Sequence, residues 1–100
     1  MSFAVAKYTI EMYSGDIHAF RSKIHLVGAK FERAQVNFTD THPLPASSRS
    51  GGSAIHWYPF DAFAPMMEML REEKPVWVFD WGSGMSLSSS DQPPGEDQGP

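Results

Sequence analysis

Apolar and polar positions alternate from the start of the chain. Ala4, Ala6, Tyr8, Ile10 and Met12 are apolar, while Lys7, Thr9 and Glu11 between them are polar. A period of two is that of a strand with one buried face. Ser14-Gly15-Asp16 supplies turn chemistry, because glycine accepts positive φ and its neighbours bond local backbone, so residues 17–27 are expected to return antiparallel. In that segment Phe20, Ile24 and Leu26 share a face, opposite Arg21, Lys23 and His25. Gly28-Ala29-Lys30 predicts a second reversal, after which Ala34, Val36 and Phe38 alternate again. The first third therefore reads as a three-stranded meander.

The period changes near the other end. In residues 59–81, PFDAFAPMMEMLREEKPVWVFDW, the side chains Phe63, Met66, Met67 and Leu70 recur at helical spacing, and Glu68, Arg71, Glu72 and Glu73 fall on the solvent side. Asp61 is placed to cap this helix, with Pro65 in or just past its first turn. Lys74-Pro75 ends it, since proline lacks an amide hydrogen and pushes its predecessor out of the helical region. Val76-Trp77-Val78-Phe79 then restarts as a strand, Asp80-Trp81-Gly82-Ser83-Gly84 turns the chain, and residues 85–89 pair back as an edge strand. Between the two patterned regions, residues 39–52 (TDTHPLPASSRSGG) read as a long loop. Loops of that length are functional or mobile. A short strand follows at residues 53–58, with Ile55 and Trp57 on one face and Ala54, His56 and Tyr58 on the other. The expected fold is α+β: an antiparallel β-sheet of about five to six strands with one α-helix packed on one face.

Composition narrows the function classes. A chain of 100 residues, 41% hydrophobic and 20% charged, forms one small domain with a single modest core. That domain is expected over residues 1–90, and the acidic segment 91–100, DQPPGEDQGP, is expected to be disordered because it has no large apolar residue to offset its ordering entropy. Cysteine is absent, which removes disulfides, thiolate nucleophiles and cysteine zinc sites. No apolar run approaches the roughly 20 residues that span a bilayer, and no leader pattern is seen, so a soluble, cytoplasmic protein without membrane contact is expected. Residues 1–34 carry five cations against three carboxylates, and the remainder three against nine. That asymmetry can orient a partner or a second copy.

Candidate chemistry is sparse. His18 and His25 point to opposite faces of a regular strand, and His42 lies in the loop. His56 could meet Asp61 or Asp80, yet no zinc-motif spacing is present, so neither a metal site nor a cofactor is expected. Ser47, Ser48, Ser50, Ser53 and Ser83 are numerous but none sits in a GxSxG elbow, and no catalytic residue is assigned. Phe20, Arg21, Lys23, His25, Lys30, Phe31 and Arg33 mix rings with cations, but net acidity and an inward Phe20 oppose nucleic-acid binding. Trp57, Tyr58, Trp77, Phe79 and Trp81 exceed what a minimal core needs, and alternation sends Trp77, Phe79 and Trp81 to one face, which would mark an interface if left uncovered.

Leu70 to Asp80, LREEKPVWVFD, followed by the serine-rich strand and the PPGE of Pro93 to Glu96, resembles a set of small bacterial proteins of about one hundred residues whose role is not assigned. The resemblance covers roughly the last forty residues and implies a bacterial, free-standing domain. Two functions are weighed. The first is an accessory protein, not an enzyme, that acts through protein contacts and self-associates, using residues 39–52 and the strand carrying Trp77, Phe79 and Trp81. The second is a small-molecule-binding protein or minor enzyme with a pocket between helix and sheet near His56, Trp57 and Asp61.

Overall fold

The structure is a computed structural model, and it describes residues 1–14 and 21–89. The Gly15-Asp16 turn, His18, Phe20, the first part of the expected second strand and the expected tail lie outside the described residues. Seven strands, β1 (Ser2–Met12), β2 (Ser22–Gly28), β3 (Arg33–Thr39), β4 (Ser48–Ser50), β5 (Ser53–Pro59), β6 (Trp77–Asp80) and β7 (Met85–Ser88), form one sheet in the order β4-β5-β3-β2-β1-β6-β7. The sheet curls into a half-barrel. A short 3₁₀ turn at Phe60–Ala62 leads into the helix α1 (Phe63–Glu72), which lies in the trough.

The meander forms as its alternation requires. β1 pairs with β2 and β2 with β3, both antiparallel, and Ile24, Leu26, Val36 and Phe38 on the concave face are fully buried. β6 and β7 form the final hairpin, with β7 at the edge. Val76 and Val78 join the core from that hairpin, and Met66 and Leu70 join it from the helix. Phe63 meets the Phe38 ring edge-on at 5.1 Å, a geometry that satisfies the ring quadrupoles.

Four expectations are corrected. The sheet has seven strands rather than five to six, and it is mixed rather than antiparallel, because β5 runs parallel to β3. The cause is the segment read as one long loop: Ser48–Ser50 inside it is β4, and Gly51 (φ 58°) and Gly52 (φ 81°) make a two-residue hairpin turn joining Ser50 to its partner Ser53. β4 carries the chain back along the outer edge, so β5 returns between β4 and β3 in the direction of β3. The alternation of β1 is also broken. A bulge between Val5 and Lys7 makes Phe3 and Val5 face inward on one side of it, and Tyr8, Ile10 and Met12 on the other. Finally, Asp61 does not cap α1: it is exposed in the 3₁₀ turn, and the N-cap is Ala62, with no side-chain bond.

Candidate functional site

The two ends of the half-barrel approach each other without a backbone ladder, and side chains span the gap. From β5, His56 Nε2 lies 3.1 Å from Asp80 Oδ1 at the end of β6. From β4, Arg49 donates to Asp80 Oδ2 at 3.1 Å. The Tyr58 hydroxyl donates to the Met85 carbonyl of β7 at 2.8 Å, and its burial pushes that phenol above its usual range. Ser47 Oγ lies 2.8 Å from His56 Nδ1 and 3.4 Å from the Ser83 carbonyl. The β4–β5 register explains this last contact, since Ser48 pairs with Ile55 and the next step sets Ser47 across from His56.

Electrostatics fix the roles within this cluster. His56 is 2% exposed and the Asp80 side chain is fully buried. Burial alone would raise the Asp80 pKa, but the Gly82 amide at 2.9 Å, His56 and Arg49 together outweigh it and hold the carboxyl below its ordinary value. An ionised Asp80 can only accept, so His56 Nε2 carries the hydrogen and, in the neutral ring, Nδ1 accepts from the Ser47 hydroxyl. Asp61, the other expected partner, is exposed and takes no part. Among the described residues no group of three or more histidine and carboxylate side chains converges as a metal would require.

The aromatic row divides. Phe79 is 8% exposed, Trp77 and Trp57 are half-buried, and Trp81 in the β6–β7 turn is 60% exposed. Buried Phe79 stands between half-buried Trp77 and exposed Trp81, with Ser2 and Ala4 of β1 and Ser86 and Ser88 of β7 as cross-strand neighbours of Phe79 and Trp77. Between helix and sheet, a cleft of about 640 Å³ is lined by residues 5–8 of β1, Leu70 and residues 73–76, and one of about 300 Å³ by Tyr58, Pro65, Met66, Met69, Ser86 and Leu87.

The cleft at residues 5–8 lies beside a stretch of β1 edge that has no partner strand among the described residues. On its β1 side β6 pairs with Ser2, Phe3 and Ala4, and the Val5 amide makes one more bond, to the Val76 carbonyl at 2.8 Å. The next residue toward the helix is Pro75, which has no amide to continue the ladder, and the chain departs there. From Lys7 to Met12, β1 is therefore paired with β2 on one side, and no described strand flanks the other. Ile10 (37% exposed) and Met12 (62%) lie along this stretch on the concave face.

The sequence reading missed both Ser47 and the β1 edge. For Ser47 the available signal was the Gly51-Gly52 hairpin, which sets Ser47 against His56. Comparison of the chain with family models, curated proteins and solved structures finds no match in any of the three. By class this is a small mixed-sheet half-barrel with one helix in its trough and two features of interest, a Ser-His-Asp-Arg cluster built on a buried His56–Asp80 pair and a strand edge with no partner among the described residues.

Proposed function

We propose that this is a small bacterial accessory protein that acts through protein contacts and self-associates by strand addition at the open edge of β1. The observation that carries the reading is the six-residue run from Lys7 to Met12, which among the described residues has a ladder on one side only. An unpaired edge of that length is a template for another strand. The sequence there complements itself. Antiparallel pairing about a twofold axis at Thr9 sets Lys7 opposite Glu11 of the second copy, Tyr8 opposite its Ile10, and Thr9 opposite its Thr9. Opposite charges, threonine pairs and apolar pairs are each favourable across strands. Lys7 has no ion-pair partner among the described residues, whereas Glu11 is held in place by Tyr13 and His25. The cleft beside residues 5–8 leaves room for Met12 of the second copy. Trp81, exposed at the far end of β6, remains available to a different protein.

Sedimentation of the full chain at about 100 µM, well above a micromolar Kd, tests the reading and should show a dimer. Lys7→Glu and Glu11→Lys should each give monomers, because each sets like charges opposite one another. An equimolar mixture of the two variants should restore a mixed dimer. A wild-type monomer at that concentration, or a dimer indifferent to both changes, would remove the β1 edge as the interface.

A further inference from the structure

The cluster that closes the half-barrel does more than join its ends, and we propose that Ser47 is a nucleophilic serine activated by His56 and Asp80. The hydrogen-bond chain has the order that such chemistry needs: a hydroxyl 2.8 Å from one imidazole nitrogen, and a carboxylate 3.1 Å from the other. The proton inventory has the right direction as well, since Asp80 accepts from Nε2 and leaves the Nδ1 lone pair facing the serine. Burial is graded along the chain. Asp80 and His56 are enclosed, and Ser47, just before β4, is only half-buried, so the nucleophile is the member that a substrate can reach. His56 is held at both nitrogens, which fixes the ring against rotation. Arg49, two residues along from Ser47, points to the same cluster with more than half of its side chain in solvent, and so places a cation at its rim.

The reaction class that fits is attack on an activated acyl or phosphonyl centre. The Ser47 Oγ–H proton passes to His56 Nδ1 as Oγ forms its bond to the electrophile. The bond to the leaving group then breaks, and the leaving group departs with the Nδ1 proton. Water, deprotonated in the same way by Nδ1, cleaves the ester and returns the serine.

A fluorophosphonate probe tests this on the full chain without a known substrate: Oγ displaces fluoride at phosphorus and the adduct is read by peptide mass. The expected result is one adduct, on Ser47, with Ser48 and Ser50 unmodified. It should vanish in Ser47→Ala and form about a hundredfold more slowly in Asp80→Asn, because His56, the general base, then loses the acceptor that holds its hydrogen on Nε2. Because Asp80→Asn can lose its fold, the wild-type chain is also labelled in denaturant, where reactivity that depends on the assembled cluster must disappear. No adduct on the folded chain, or an adduct on Ser47 that persists at the same rate in denaturant, would overturn the proposal and leave the cluster a structural clamp.

Discussion

His56 Nε2 and Asp80 Oδ1 lie 3.1 Å apart although three strands, β3, β2 and β1, stand between their own strands in the sheet. The contact is therefore a measure of curl. It exists only when the sheet bends far enough for its two ends to meet, and it replaces the ladder that a closed barrel would have there. Asp80→Ala would leave the Nε2–H of His56 and the Gly82 amide without their acceptor in a buried site, at a cost of about 3 kcal/mol. The melting temperature should fall by more than about 10 °C for a domain of this size. Arg49→Ala removes a side chain that is more than half exposed and should cost no more than about 1 kcal/mol.

Acid should weaken the fold through the same carboxylate. The folded-state pKa of Asp80 lies below its ordinary 3.8, so the unfolded chain takes up the proton first as pH falls. The contribution of Asp80 is fully present above the ordinary value and is lost as pH falls through the lower folded one. Glu11 acts in the same sense, its pKa lowered by the Tyr13 hydroxyl and by His25. Urea midpoints should be level from pH 7 to about 5 in this respect and decline below about pH 4, and Asp80→Ala should flatten that decline.

Gly28 is required by a close approach. A Cβ at this position would sit 2.9 Å from the Phe3 ring and 2.5 Å from Glu32 Oε1. The Glu32 side chain can swing away, but the Phe3 ring is buried in the core and cannot. Gly28→Ala should destabilise by about 1–3 kcal/mol, the range of overpacked cores, and a thermal melt would show it.

Ser22 offers the opposite sign. Its hydroxyl is buried at the end of β2 with no hydrogen-bond partner among the described residues, as is that of Ser86. Ser22→Ala removes an unsatisfied polar group without opening a large cavity, and is expected to raise stability by about 1 kcal/mol. A denaturant midpoint that falls instead would mean that the hydroxyl is satisfied.

Phe79 and Trp81 should separate cleanly in the same assay. Phe79→Ala removes a ring that is 8% exposed and should cost about 3 kcal/mol or more. Trp81→Ala, at a side chain that is 60% exposed, should stay within about 0.5 kcal/mol.

Local periodicity carried most of the architecture. The period of two in β2, β3 and β5 set Ile24 with Leu26, Val36 with Phe38, and His56 with Ala54 and Tyr58 on one face of their strands, and the helical period of residues 63–70 set Met66 and Leu70 on one face of the helix; the structure buries Ile24, Leu26, Val36, Phe38, His56, Met66 and Leu70. These features are legible because a side chain's face depends only on its own backbone geometry. Pairing is a different kind of fact. Which strand lies beside which depends on residues far apart in the chain, and so the parallel β3–β5 pair, the insertion of β5 behind the β4 hairpin and the bulge at Val5/Lys7 were decided by the tertiary structure. The same holds for the candidate sites. The sequence named His56 and offered Asp61 or Asp80 as its partner, but only the curl of the sheet selects Asp80 and brings Ser47 and Arg49 to it. The residues were chosen by the sequence, and their meeting by long-range closure, whose geometry no short window of the chain contains.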